Sequence, residues 1–247
     1  MAPRWKGKSA EAKALAEPMS KFVSNLQSSL IESNIEGFLS GCSMLVAANP
    51  EQTELFNKAC FGRPIVTAEK DEQQWFQLSL EEAFYLSSLK KCIKIAAAGE
   101  GERVKIDEDL WNYYIAVSKK PDSIIQLVAY SHLRAKNWVV RGGSQYGVDF
   151  VAYRHHPSLV HSEYAVLVLS NDEKSNDRLR VWSDVHCALR LCGSVAKTLL
   201  ALFVGAIGDT FGSPRLEDYA VEERIIARWN PEQSREDQQP TSSSNVP

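Results

Sequence analysis

Two apolar strands joined by a seven-residue loop constrain this chain most. Gly147-Val148-Asp149-Phe150-Val151-Ala152-Tyr153 reads as a strand, Arg154-His155-His156-Pro157-Ser158-Leu159-Val160 as a loop, and His161-Ser162-Glu163-Tyr164-Ala165-Val166-Leu167-Val168-Leu169 as the returning strand. Antiparallel pairing sets the end of the first strand beside the start of the second. Tyr153 and His161 then flank one loop and approach each other at one sheet edge. A phenol can become a basic phenolate, and an imidazole can carry a proton near neutral pH. With a cation added, the group has the parts of a metal-free general acid–base site.

The length of 247 residues allows one large domain or two smaller ones, each with its own core. Apolar residues make up 44% of the chain and charged residues 24%, the balance of an ordinary soluble globular protein. No apolar run approaches the ~20 residues of a membrane helix, so no membrane partner is expected. Met1-Ala2-Pro3-Arg4-Trp5-Lys6 is basic but leads into no apolar stretch, which argues against a secretory signal. The five cysteines are scattered and never form a C-x-x-C pair, a pattern of reduced thiols rather than of a disulfide frame or zinc site. The net charge of −3 does not by itself announce a polyanion partner. From Arg134 to Lys197, however, nine Lys/Arg face six Asp/Glu, and four of the five histidines fall there. A mildly basic half on an acidic chain permits a local phosphate-binding surface.

Apolar spacing places the elements. Residues 1–20 read as a flexible, weakly helical lead. Phe22, Leu26, Leu30 and Ile31 have helical spacing, Gly41 to Ala48 reads as a buried strand, and Glu51 to Ala59 as a short helix. In Leu78-Ser79-Leu80-Glu81-Glu82-Ala83-Phe84-Tyr85-Leu86, Ser79 and Glu82 form a capping-box signature, and the helix that follows should bury Leu80, Phe84, Leu86 and Leu89. Ala98-Gly99-Glu100-Gly101-Glu102 is the best domain boundary. Helices are expected over Asp107–Val117 and from Pro121 to about Lys136, then a strand from Trp138, the hairpin, a short helix capped by Ser183, an apolar run from Val195 to Val204 and a last strand over Glu217–Trp229. Residues 230–247 lack apolar content and should be disordered. The expected fold is α/β with mixed sheets (α+β): a lead over 1–20, an N-terminal domain over 21–101, a C-terminal domain over 102–229 with a small mixed sheet flanked by helices, and a tail over 230–247.

Lys197 lies inside Ser194-Val195-Ala196-Lys197-Thr198-Leu199-Leu200 and must either snorkel to water or face a polar pocket. RNA carries its own nucleophile, the 2′-OH beside each phosphate. Cutting by that route needs a base, an acid for the departing 5′-oxygen, and a cation for charge on the phosphoryl oxygens. Positioned acid–base groups supply roughly 10²–10⁴-fold, and a cation aimed at the developing charge roughly 3 kcal/mol. Tyrosine, with a reference pKa of about 10, is a poor base at neutral pH. A neighbouring Lys197 would favour its anion.

The chain resembles the tRNA-splicing (tRNA-intron) endonucleases, and among them the eukaryotic catalytic subunit numbered two. The residues that carry the resemblance are Tyr146-Gly147-x-Asp149-Phe150, Tyr153-Arg154, Pro157, His161-Ser162-x-Tyr164, and Arg190-Leu191-x-x-Ser194-Val195-x-Lys197-x-Leu199-Leu200, with the Leu78–Leu86 signature in the N-terminal half. The resemblance implies Tyr153 as general base, His161 as general acid and Lys197 as the transition-state cation, with Tyr146 second in line for the base. It implies metal-independent cutting of precursor tRNA at the 5′ splice site, leaving 2′,3′-cyclic phosphate and 5′-hydroxyl ends. Three other subunits in a heterotetramer, a nuclear location and no cofactor are implied with it. Arg190 and Trp229 match a pair that sandwiches a flipped-out base, work a guanidinium and an indole can do for any base.

One departure is the His156-Pro157 step, where the family often has glycine before the proline. It bears on the loop's conformation. Adjacent histidines in a strand-like loop point opposite ways, so His155, His156 and His161 are not expected to bind metal. The competing reading is a non-catalytic structural subunit of the same complex, but such a scaffold should lack the Tyr/His/Lys set. A metal-dependent nuclease would need paired acids beside a lysine, and none follow Asp149 or Glu163.

Overall fold

The structure is a computed structural model that describes residues 3–66, 73–96, 106–118, 123–171, 179, 181–208 and 215–226. Two short helices come first, α1 (Ala10–Ala16) and α2 (Met19–Glu32). Phe22, Leu26 and Leu30 form the buried stripe of α2, whereas Ile31 turns out to solvent. The segment read as a flexible lead is docked: Ala10 and Ala14 are buried, and Trp5 bridges Val160.

Strands β1 (Glu36–Ser40), β2 (Ser43–Ala48), β3 (Arg63–Pro64), β4 (Gln74–Ser79) and β5 (Lys94–Ile95) build a sheet ordered β3-β4-β2-β1-β5. Its pairs are antiparallel except β1·β5. Helix α3 (Pro50–Ala59) starts on a capping box of Asn49 and Gln52, with proline in the first turn where no backbone N–H is missed. Helix α4 (Leu80–Phe84) starts on the expected Ser79–Glu82 box. It then widens into a π-turn over Tyr85–Leu89, and this change of period leaves Leu89 45% exposed rather than buried.

The C-terminal half contains α5 (Ile106–Ser118), α6 (Ser123–Ala135), β6 (Val139–Gly142), β7 (Phe150–Tyr153), β8 (Tyr164–Ser170), α7 (Trp182–Ser194), β9 (Thr198–Ala206) and β10 (Tyr219–Ile226). Its sheet runs β10-β9-β8-β7-β6, antiparallel except for the parallel pair β8·β9. The hairpin β7·β8 is therefore interior, and Tyr153 and His161 sit at strand ends rather than at a lateral edge. Both strands are shorter than expected. Gly147 takes a left-handed φ of +66° and holds the preceding turn apart from β7, and pairing resumes only at Tyr164. Helix α7 is capped from Val181 with no side-chain cap; Ser183 lies inside it.

One apolar cluster spans both halves, from Leu26, Phe56 and Phe76 through Leu127 and Leu133 to Val166 and Leu202. The halves do not have separate cores. A smaller cluster (Val148, Val151, Ala165, Leu167, Cys192 and Leu199) fills the opposite face of the C-terminal sheet under α7. The boundary expected at Gly99–Glu102 and the tail 230–247 lie outside the described residues. Among the described residues, no helix is long and apolar enough to cross a membrane.

Candidate active site

Two polar links hold the root of the hairpin loop. Arg154 Nε and Nη2 donate to the two carboxylate oxygens of Glu163 at 3.0 and 2.9 Å, and the guanidinium lies 4.9 Å from the Trp138 ring centroid. A planar fork on a carboxylate fixes distance and angle together. One residue before each of these partners, the Ser162 side chain interacts with the Tyr153 phenol. The Glu163 N–H donates to the Ala152 carbonyl at 2.9 Å, so the loop closes before the ladder begins. His161 lies just beyond this clamp and is exposed.

Lys197 reaches the same place from the other side. Helix α7 ends at Ser194, and Ala196 adopts a left-handed φ of +50°, which turns the chain sharply into β9. The Lys197 N–H donates to Cys192 O at 2.9 Å and the Thr198 N–H to Glu163 O at 3.0 Å. Parallel register then pairs Thr198 with Tyr164. The residue before β9 is thereby set beside the residues before β8. The half-buried Lys197 ammonium sits 4.1 Å from the centroid of the Tyr146 ring. It neither snorkels freely nor lies in an apolar core, because a ring face offers it a quadrupole.

Tyr146 is positioned by a short 3₁₀ turn (Ser144–Tyr146) between two glycines. A Cβ on Gly143 would come within 2.6 Å of Val148 Cγ2 and 2.9 Å of the Phe150 backbone. A Cβ on Gly147 would meet Leu191 Cδ2 of α7 at 3.2 Å. These close approaches press the turn against the helix that delivers Lys197.

Electrostatics separate the candidate base from the candidate acid. Burial pushes the Tyr153 phenol above its ordinary pKa, and neighbouring Tyr146 adds to the rise. The Ser162 hydroxyl and the Arg141 charge favour the phenolate but do not overcome burial. The expected help of Lys197 to this phenolate is not what the geometry provides: the ammonium faces Tyr146, and the cation acting on Tyr153 is Arg141. His161 is held below its ordinary value by partial desolvation, then by the charges of Lys6, Arg4 and Lys197. The Lys197 ammonium thus packs on the Tyr146 ring and its charge is felt at His161, while Tyr146 acts on Tyr153. Arg190 stands exposed on α7, next to Leu191. Trp229 lies outside the described residues.

Tyr153 also lines a cleft of about 560 Å³ between the two halves, with Arg63, Asn57 and His156 on its walls and Arg141 and Gln145 beside it. The two loop histidines take different partners. His155 is buried, bonds Glu17 O through Nε2 at 2.7 Å and packs edge-on against Phe22. His156 Nδ1 accepts the Ser158 N–H at 3.1 Å. Among the described residues, no three His, Cys, Asp or Glu side chains cluster as metal ligands would. Sequence reasoning missed Arg4, Lys6 and Arg141, whose only signal was charge; the lead residues act across more than half the chain, whereas Arg141 acts on Tyr153 from the neighbouring strand β6.

Comparison with known proteins agrees with this architecture. Residues 35–110 match the model of the tRNA intron endonuclease N-terminal domain, and residues 124–210 that of the tRNA intron endonuclease catalytic C-terminal domain. The chain belongs to the tRNA-splicing endonuclease family. It is 57% identical over 252 residues to tRNA-splicing endonuclease subunit Sen2-2 of Arabidopsis thaliana, covering 100% of this chain and 97% of the relative. It is 45% identical to the probable Sen2 subunit of Oryza sativa subsp. japonica over 95% of this chain and 82% of the relative. The Sen2 subunit of Mus musculus is 31% identical over 67% of this chain and 36% of its own length. As a member of this endoribonuclease family, the chain carries the family's N-terminal and catalytic domains on two mixed sheets.

Proposed function

We propose that this chain is the catalytic subunit of a nuclear tRNA-splicing endonuclease and cuts precursor tRNA at the 5′ splice site. Tyr153 removes the proton from the 2′-OH at the exon's end, and the oxygen attacks the adjacent phosphorus. The P–O5′ bond breaks as His161 gives its proton to the leaving 5′-oxygen. The products carry a 2′,3′-cyclic phosphate and a 5′-hydroxyl. Lys197 neutralises charge on the non-bridging oxygens, and no metal or cofactor is needed. The observation that carries this reading is the parallel register of β8 and β9, which brings the turn bearing Lys197 beside the loop bearing His161. Tyr146 serves as the platform for Lys197 rather than as the base, since the ammonium lies over its ring.

Arg190 and Trp229 clamp an extruded base of the substrate; the exposed position of Arg190 near the Tyr146 turn supports its part. The other subunits of a heterotetramer cover the outer edge of the C-terminal sheet. There β10 is the edge strand, and Ile225 is 61% exposed.

The test is reconstitution with partner subunits and an intron-containing precursor tRNA, followed by end-group analysis. Cyclic phosphate at the 5′ cut, unchanged by chelators, is expected. A 5′ cut made at full rate by the partners without this chain would instead assign it a structural role.

A further inference from the structure

A single β-bridge, too short to leave a mark in the sequence, ties the lead to the active-site loop. Trp5 pairs with Val160 in an antiparallel bridge. The Lys6 N–H donates to Leu159 O at 2.7 Å, and the His161 N–H donates to Arg4 O at 3.0 Å. The Lys6 ammonium donates to Pro157 O at 2.8 Å. Four residues of the loop are thus held by three residues of the lead, and one of the held backbone groups belongs to His161 itself. The next part of the lead secures the other end of the loop through Glu17 O and the buried His155 ring. Residues 3–34 precede both spans matched to the family's domain models, so this contact lies outside what those models describe.

We propose that Arg4-Trp5-Lys6 is a positioning element of the active site, which fixes the backbone at His161 and sets the charge around its imidazole. The proposal rests on reading His161 as the general acid. A loop of this length without lateral pairing moves its backbone on fast timescales. General acid catalysis requires the imidazole within hydrogen-bond reach of one departing oxygen, and displacement by about 1 Å can cost ~10²-fold. Holding His161 by its own N–H and by the preceding residues 157–160 removes that freedom.

The charged groups acting on His161 are Arg4 and Lys6 from the lead and Lys197 from the turn before β9. Among the described residues, no carboxylate pairs with Arg4 or Lys6. These three charges disfavour protonation of the imidazole until an anion arrives. An RNA phosphodiester is such an anion, so substrate binding would restore the protonated acid where it is used. The lead therefore makes the acid's charge depend on occupancy of the site.

The test compares reconstituted complexes in single-turnover cleavage of an intron-containing precursor tRNA across pH. They carry the full chain, a chain lacking residues 2–8, or the variants Lys6→Pro, Lys6→Ala, Lys6→Arg and His161→Ala. The truncation and Lys6→Pro, which removes the backbone donor, should lower the rate about 10- to 100-fold with KM little changed. Lys6→Ala should move the limb of the pH profile assigned to His161 to higher pH, and Lys6→Arg should restore both the limb and the rate. A purely structural role would not move that limb. Wild-type rate and an unmoved limb in an assembled truncated complex would overturn the proposal; should that complex not assemble, Lys6→Pro and Lys6→Ala decide it by the same criteria. Full cleavage by His161→Ala would overturn the reading beneath it. An inactive His161→Ala beside lead variants that behave as wild type would overturn the lead's role alone.

Discussion

The two sheets of this chain have five strands each and one parallel pair each, yet only the C-terminal sheet brings chemistry-bearing residues together. In the N-terminal sheet the parallel pair is a two-residue contact at the edge, Glu36–Gly37 with Lys94–Ile95. In the C-terminal sheet it is the long pair β8·β9 in the interior, seven residues in register. Parallel neighbours start at the same end of a sheet. The segments entering them, 154–163 and 194–197, therefore meet, whereas an antiparallel meander sends alternate connections to opposite ends. The N-terminal sheet uses its polar groups for joining instead. The buried Glu82 carboxylate accepts the N–H groups of Ser79 and Gly62 at 3.0 Å each and lies 3.6 Å from Arg141 of β6.

The strongest break of this contrast is at the strand entries. His161→Ala or Lys197→Ala should lower single-turnover cleavage by about 10²–10⁴-fold while assembly and thermal melting of the complex stay unchanged. The phenols sharpen it next. Tyr153→Phe should lower the rate by about 10²-fold. Tyr146→Phe, which keeps the ring under Lys197, should stay within a few-fold of wild type, and the reverse ranking would make Tyr146 the base. On the joining side, Glu82→Ala should destabilise the chain by about 3 kcal/mol in denaturant titration, because two backbone N–H groups and a part-buried arginine lose one partner. Gly147→Ala should cost roughly 1–2 kcal/mol for the left-handed backbone and its contact with Leu191, read in the same titration.

The smallest effect is a pH signature. His161 lies below its ordinary pKa and Tyr153 above its own. With the required acid less basic than the required base, the product of protonated imidazole and phenolate is flat between the two values and falls below the lower. The acidic limb of kcat/KM should then report His161 in the free enzyme and lie on the acid side of the ordinary histidine value. In kcat, with phosphate bound, that limb should move to higher pH. Identical acidic limbs in the two profiles would remove His161 from that assignment.

Legibility in the sequence followed locality. The Ser79–Glu82 box and the stripe of α2 depend on residues within a turn or two of each other, and both are present. The hairpin was legible from its apolar runs, and the motif spacing named Tyr153, His161 and Lys197 as candidates. Their arrangement was not legible. Which ring lies under Lys197 depends on the parallel register and on the left-handed turn at Ala196, and neither leaves a mark in a single sequence. The cap expected from Ser183 is absent because α7 begins at Trp182 with Val181 as its N-cap, two residues earlier, which places Ser183 inside the first turn. The contribution of Arg4 and Lys6 was hidden because it joins the lead to a loop 151 residues away.

Arg134 and Arg141 have a consequence for how the molecule can be taken apart. Both belong to the C-terminal half and both insert into the other one. Arg134 is 4% exposed, donates to Ala59 O at 3.1 Å and lies 3.7 Å from the Phe61 centroid; Arg141 donates to Gly62 O at 3.2 Å. A fragment ending before Arg134 would leave carbonyls and an aromatic face dehydrated with nothing to answer them, and the complementary fragment would strand two guanidinium groups. The two family modules are thus welded rather than hinged: calorimetry should record a single cooperative melt, and swapping one module for a relative's should succeed only when the 59–62 segment and both arginines travel as a matched set.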